Sequence, residues 1–185
     1  LSTSPELKRT EETGTFSADP GSFGASAASS DLSLYAFSRA DQDIRNKGEL
    51  FVYKRSGELV YRINAHSDHI RSILFSPDDK IIYTVSYDHS IKMWDTKTGK
   101  LIGTLYLFKD SNDFVFIDPD GRFDGSEQGV KRLYFILNRE PLPLDRLFEK
   151  YYTPNLYARL VAGEVFNPIP SDVIRPAPLV KIQYA

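Results

Sequence analysis

Residues 65–95 read AHSDHIRSILFSPDDKIIYTVSYDHSIKMWD. Apolar and polar residues alternate in three short runs, 70–75, 81–86 and 90–95, and a period of two marks a half-buried strand. Pro77-Asp78-Asp79 separates the first two runs and Tyr87-Asp88-His89 the next, each short enough to close a hairpin. The stretch therefore predicts three antiparallel strands in a meander.

Four polar residues sit at the ends of this meander. His66 precedes the first strand, Asp88 lies in the turn before the third, and Ser90 and Trp94 lie on the third. Across a small sheet such a set can reach one another, and imidazole, carboxylate, hydroxyl and indole N–H can bond in series. That satisfies polar atoms whose burial would otherwise be costly. The stretch resembles the WD40 repeat, one blade of a β-propeller. The resemblance implies that His66, Asp88, Ser90 and Trp94 form a structural hydrogen-bond network, and Trp94-Asp95 is the dipeptide that names the family. Where the family usually has Gly before the His, this chain has Ala65.

Other copies of the pattern flank the central one. Segment 24–41 aligns with 70–88 as strand, turn at Ser30-Asp31 and strand 34–38, followed by a charged loop, 40–48, and runs at 49–53 and 59–63. Tyr53 stands 41 residues before Trp94, and Gly57 stands 42 before Gly99. These separations fit the WD40 period of about 40 to 45 residues. A third copy begins with strand 113–117 and Asp118-Pro119-Asp120-Gly121-Arg122, which lies 42 residues after Ser76-Pro77-Asp78-Asp79-Lys80, but no third Trp-Asp follows. Residues 131–137 are expected to form a further strand.

The rest of the chain changes class. Residues 1–22 mix charge, Ser, Thr, Gly and Pro without hydrophobic period and read as a connecting or poorly ordered segment. After Pro143, apolar residues at Leu144, Leu147, Phe148 and Tyr151 have the spacing of one helix face. Thr153 and Pro154 suit the start of a second short helix over 155–162, with Thr153 as its cap and Gly163 as its end. Such short helices need a surface to lie against. Prolines 168, 170, 176 and 178 make 165–185 an extended connector. The expected organisation is thus a connector, 1–22; blades over 23–65 and 66–108 with a partial one over 113–137; helices over 138–164 packed on them; and an exit linker, 165–185. The fold class is mainly β, a partial WD40 propeller with a short helical appendix. Two blades cannot close a ring, because propellers need about four to eight and open sheets leave unpaired edges. The missing blades are expected from the same polypeptide or another chain. Leu1 in place of an initiator Met, and a strand-like ending, 179–184, suggest a fragment of a longer polypeptide.

Composition bounds the function classes. At 185 residues, 41% hydrophobic and 13% aromatic, the chain can bury a core. A net charge of −2 gives no basic footprint for nucleic acid, and no apolar run approaches the ~20 residues of a membrane span. The absence of Cys removes disulfides and thiolate ligands. Cytoplasmic residence and no cofactor are the expectations.

Each sharp reading has a plainer competitor. A Ser/His/Asp catalytic reading of Ser90, His66 and Asp88 lacks the strand-to-helix elbow and oxyanion hole that a nucleophilic Ser needs, so the structural network is preferred. Asp118, Asp120, Asp124 and Glu127 invite calcium, but Phe123 and Gly129 stand where an EF-hand loop has Gly and Glu, and a plain turn explains Pro119-Asp120-Gly121. His69 and His89 could suggest zinc, yet both lie in turns. On the WD40 resemblance, His69, Arg71 and Tyr87 point to the top face of the propeller, and Arg and Tyr are enriched at interface hot spots. An aromatic and aliphatic stripe at Tyr134, Phe135, Leu147, Phe148, Tyr151, Tyr152, Leu156 and Tyr157 is expected to pack rather than to bind.

Residues 113–185, with DPDGRFDGSE and a Tyr151-Tyr152-Thr153-Pro154 tail, further resemble the end of the propeller in large multidomain bacterial WD40 proteins, often linked to a caspase-like peptidase domain. Without Cys, no such catalysis lies in this chain. The reading is a non-enzymatic protein-interaction platform, a sensor or regulatory part of a larger protein. A metal- or carbohydrate-binding module using the carboxylates at 118–127, and a subunit of a structural assembly, are the alternatives.

Overall fold

The alternation seen in the sequence becomes a series of short antiparallel strands. The computed structural model describes residues 5–9, 16–20, 23–39, 48–109, 111–137, 140–167 and 169. The chain divides into two units, Leu1–Lys100 and Leu101–Ala185.

In the first unit, strands β1 (Pro5–Arg9) and β2 (Phe16–Pro20) pair as a hairpin, with Pro5 opposite Pro20 and Arg9 opposite Phe16. Within the segment read as a connector, 1–22, residues 5–9 and 16–20 are thus paired strands. A ladder is made of main-chain hydrogen bonds and needs no hydrophobic period, so alternation could not reveal it. Strands β3 (Phe23–Ala28), β4 (Leu34–Arg39), β5 (Glu49–Lys54) and β6 (Leu59–Asn64) form a four-stranded antiparallel sheet in chain order. Strands β7 (Ile70–Phe75), β8 (Ile81–Ser86) and β9 (Ile91–Asp95) form the meander expected of the central stretch. Ala36, Leu50, Val52, Ile70, Ile73, Ile82 and Trp94 are among the buried apolar side chains. The loop at 40–47 lies outside the described residues.

The two hairpin turns of this unit are built alike, 47 residues apart. Ser29 Oγ donates to Asp31 Oδ1 at 2.7 Å and accepts from Leu34 N at 3.0 Å. Ser76 Oγ donates to Asp78 Oδ1 at 2.7 Å and accepts from Ile81 N at 3.0 Å. Bonds from the Ser33 hydroxyl and amide and then from Ser29 hold the Asp31 carboxyl, and bonds from Ser76 and Lys80 the Asp78 carboxyl, at a pKa of about 2, below the ordinary Asp value. The fourth residue of each turn is left-handed, Leu32 at φ 58° and Asp79 at φ 56°. Asp tolerates that region; for Leu it is a genuine outlier.

In the second unit, β10 (Leu101–Leu107), β11 (Phe114–Ile117) and β12 (Phe123–Gly125) form antiparallel pairs, Leu105 opposite Phe116 and Phe116 opposite Asp124. The strand expected to open a new blade at 113–117 thus pairs directly with the strand assigned to the previous blade. The connection between them is short enough for a hairpin. Ser126 then caps a helical turn, α1 (Glu127–Val130), its Oγ accepting from Gly129 N at 3.1 Å. This turn displaces the start of the strand expected at 131–137: β13 runs Tyr134–Leu137 and pairs with β14 (Glu140–Pro143).

The helix expected after Pro143 forms in two pieces, a 3-10 turn at Leu144–Leu147 and α2 (Phe148–Tyr151). No side chain caps either piece, and Leu147 at φ −100°, ψ 2° interrupts the α ladder between them. The last helix, α3 (Leu156–Val161), is not capped by Thr153. Asn155, at φ 57°, holds the N-cap position without a side-chain bond, and Thr153 Oγ1 turns back to Tyr151 O at 3.4 Å. Gly163, at φ 84°, ends the helix with the paired bonds Gly163 N to Leu160 O and Glu164 N to Arg159 O, both 3.0 Å. Phe108, Val115, Ile117, Phe123, Val130, Leu133, Phe135, Leu144, Leu147 and Tyr151 make one core. Half of the predicted stripe of eight is buried, Phe135, Leu147, Tyr151 and Leu156, whereas Phe148 keeps 45% of its surface exposed. The connector expected at 165–185 lies outside the described residues apart from 165–167 and 169.

Candidate functional site

Strand β8 carries IIYTVS, and its alternation points Ile82, Thr84 and Ser86 inward. Thr84 is completely buried, so its hydroxyl must find partners inside. It finds two. Trp94 Nε1 donates to Thr84 Oγ1 at 2.8 Å, and Thr84 Oγ1 lies 2.7 Å from His66 Nε2. The other imidazole nitrogen, Nδ1, lies 2.9 Å from Asp88 Oδ2. A carboxylate only accepts and an indole only donates, so with Nδ1 carrying its proton the direction of the chain is settled: Trp94 to Thr84, Thr84 to His66, His66 to Asp88.

Ser90 joins elsewhere than expected. Its hydroxyl donates to Asp88 Oδ1 at 2.6 Å and sits 3.2 Å from His66 Nδ1, while its amide donates to the same carboxylate oxygen at 3.0 Å. It is therefore a brace for Asp88, and the hydroxyl linking imidazole to indole belongs to Thr84, which the sequence reading missed. A polar residue at an inward position of an apolar strand was the available signal. Burial pushes the Asp88 carboxyl up, but bonds from His66, Ser90 and the Ser67 amide together hold it well below the usual carboxylate range.

The remaining polar groups close the site. Lys92 Nζ donates to Ala65 O at 2.7 Å and lies 5.9 Å from the Trp94 ring centre. Burial lowers the pKa of this ammonium, opposed by the charge of Asp88. Ala65, in the position where Gly was expected, is fully buried and donates its N–H to Gly48 O at 2.9 Å. Gly48 itself is required: at φ 76°, a Cβ there would stand 2.2 Å from His66 O. With His66, Thr84, Ser90 and Trp94 all buried, the Ser90 hydroxyl has no surface on which to meet a substrate. The arrangement is a framework.

The surface candidates lie beside it. Tyr87 N donates to His69 O at 3.0 Å, the Arg71 guanidinium lies 5.0 Å from the Tyr87 ring centre, and Arg71 Nη1 donates to the Tyr87 hydroxyl. Tyr87 remains 52% exposed. The structure thus gathers His69, Arg71 and Tyr87 at one end of β7 and β8. By contrast, the carboxylates at 118–127 are taken by partners within the chain. Asp118 Oδ2 and Asp120 Oδ2 take Arg122 Nη1 at 2.9 and 2.7 Å, Asp124 accepts from Gly125 N, and Glu127 pairs with Lys131 at 2.6 Å. Among the described residues no group of three or more His, Asp or Glu could hold a metal ion, and this applies equally to His69 and His89. His89 sits at φ 64° as a turn residue.

Residues 57–95 match the family described as WD domain, G-beta repeat, so the chain carries a WD40 repeat there, and its fold is mainly β. It is similar to Ribosome assembly protein 4 of Saccharomyces cerevisiae, 38% identical over 50 residues, which are 27% of this chain and 10% of that protein. It is also similar to the Protein LST8 homolog of Dictyostelium discoideum, 40% identical over 57 residues, 28% of this chain and 19% of that one. The chain thus spans a small part of the length of the curated relatives it matches. The C-terminal WD40 domain of Sif2 aligns with 56% of this chain and 30% of its own at 18% identity, with a TM-score of 0.41.

Proposed function

We propose that the chain serves as a non-enzymatic protein-interaction platform whose contact surface includes His69, Arg71 and Tyr87. The observation that carries this reading is the stacking of Arg71 on an exposed Tyr87 whose backbone is tied to His69. The buried network beneath holds that end of the meander rigid, which lowers the ordering cost of binding. Arg and Tyr supply contact area and donors at interface centres. Protein is the partner class, because a net charge of −2 gives no attraction for nucleic acid, and no described helix is long and apolar enough to cross a membrane. The remaining blades of a ring come from the same polypeptide or another chain, and cytoplasmic residence belongs to this reading.

The resemblance of residues 113–185 to the propeller end of multidomain bacterial WD40 proteins extends it. On that basis the platform is the sensing or regulatory part of a larger protein, with any catalytic domain, including a caspase-like one, outside this chain. The test is site-specific photo-crosslinking from position 87 in cells that make the protein, with position 97 as the control. Adducts from 87 that disappear in Arg71→Glu support the reading. No adduct from 87, or the same adducts from 97, overturns it.

A further inference from the structure

The turn Asp118-Pro119-Asp120-Gly121-Arg122 contains a cation that neither the blade framework nor the exposed trio uses. Arg122 is only 5% exposed, and a buried guanidinium needs its donors matched. Two carboxylates take Nη1, as described above. Arg122 Nη2 donates to the main-chain oxygen of Asn167, 45 residues further on. The flat of the same guanidinium faces the Phe166 ring, Cζ lying 5.1 Å from its centre.

A second arginine addresses that ring. Arg159 Cζ lies 4.6 Å from the Phe166 centre. Its own guanidinium is gripped by Glu164, Nε to Oε2 at 2.7 Å and Nη2 to Oε1 at 2.5 Å. The result is a row, carboxylates 118 and 120, Arg122, Phe166, Arg159, Glu164, running from the β11–β12 turn to the end of α3. Val165 on one side of the clasp is 92% exposed, and three residues past Phe166 the half-buried Ile169 packs against the core of this unit. The turn itself does not require a buried arginine. In the equivalent turn of the first unit the residue is Lys80, which pairs with Asp78 at 3.1 Å out in solvent. What Arg adds over Lys is a planar fork and a stacking face, and both are spent on residues 166 and 167.

We propose that Arg122, with Arg159, is a latch that holds Phe166 and Asn167 against the β11–β12 turn. The segment after α3 then has a docked state and a released one, and release uncovers Phe166 and the guanidinium face and Nη2 of Arg122. The docked state fixes the path by which the chain leaves α3. This assigns a purpose to the DPDGRFDGSE motif that does not depend on the exposed trio.

Limited chymotrypsin digestion of the full chain, followed by mass spectrometry, tests the latch. Phe166 is a cleavage site in the clasped segment, and buried Tyr151 reports opening of the core. Cleavage of a transiently opened segment follows its open population when reclosing is fast. Arg122→Gln should accelerate cleavage after Phe166 about tenfold, the loss of charge-assisted bonds. Arg159→Gln should accelerate it about threefold, the loss of an exposed cation–π contact. Because Gln at 122 leaves Asp118 buried without its cation, Arg159→Gln is the deciding variant. Faster cleavage after Phe166 with cleavage after Tyr151 at the wild-type rate establishes the latch. An unchanged rate after Phe166 in Arg159→Gln, or a rise matched by Tyr151, overturns it.

Discussion

The sheet β3–β6 and the meander β7–β9 place side chains at the same lattice positions and fill them with opposite chemistry. Tyr35 lies opposite Tyr53 and Phe37 opposite Phe51 in the first; Ile82 lies opposite Trp94 and Thr84 opposite Lys92 in the second. Phe37 thus stands where Thr84 stands, and Tyr53 where Trp94 stands. Where the meander joins Thr84 to Trp94 by a hydrogen bond of 2.8 Å, the first sheet sets Phe37 edge-on to Tyr53 with ring centres 6.3 Å apart. Both sheets share the same Ser/Asp turn. Such a sheet is therefore specified by alternation and turn chemistry, and the pair at these positions can be polar or aromatic. The polar solution carries a higher penalty when broken, because an unsatisfied buried donor costs more than a lost contact.

The largest effect should come from removing the polar anchor. Trp94→Ala is expected to destabilise the chain by about 3–5 kcal/mol, the usual value for deleting a buried Trp, and chemical denaturation would measure it. An unchanged midpoint would remove the network from any structural role.

The next effect isolates the hydroxyl. Thr84→Val keeps the shape but leaves the Trp94 N–H and His66 Nε2 without partners, a loss of roughly 1–3 kcal/mol. Thr84→Ser should recover most of it. At the matching aromatic position, Phe37→Leu forfeits an edge contact of roughly 0.5–1.5 kcal/mol. If Thr84→Val proved no worse than Phe37→Leu, the distinction between the two sheets would fail.

Acid should weaken both sheets together. Asp31 and Asp78 have folded pKa values of about 2 and Asp88 is depressed as well, against about 4 in the unfolded chain. Below that value the unfolded state binds more protons, so these groups stabilise the fold above about pH 4 and lose that contribution as pH falls through their folded values. The melting temperature should accordingly drop between about pH 4 and 2, with a flatter profile in the double variant Asp31→Asn, Asp78→Asn. An identical profile would show that the turns do not use their charge.

The smallest effect separates the two turns. Leu32→Gly relieves a left-handed Leu and should stabilise by roughly 0.5 kcal/mol, the difference between relieved strain and added chain entropy. Asp79→Gly should destabilise instead, since Asp79 accepts from Ser30 N at 3.0 and 2.9 Å. Thermal melts of both variants would decide, and opposite signs are required.

Much of the strand plan was legible in the residues. Runs 70–75 and 81–86 emerged with their expected bounds, and Gly163 ended its helix as read. These are local matters: alternation reports burial of one face, and Gly reports a backbone angle. The site was half legible. His66, Asp88, Ser90 and Trp94 do converge, but Thr84 hid inside a strand because one buried hydroxyl looks like any other strand residue.

The sequence by itself determined which residues form strands, where the Ser/Asp turns fall, and that a His, an Asp and a Trp would share one blade, because these follow from period, turn chemistry and spacing. Only the tertiary structure decided which hydroxyl joins imidazole to indole, that β11 pairs with β10, and that Asp118 and Asp120 face Arg122. Each of those depends on which side chains meet across tens of residues, and hydrogen-bond partnership is a matter of distance in space that no local pattern encodes.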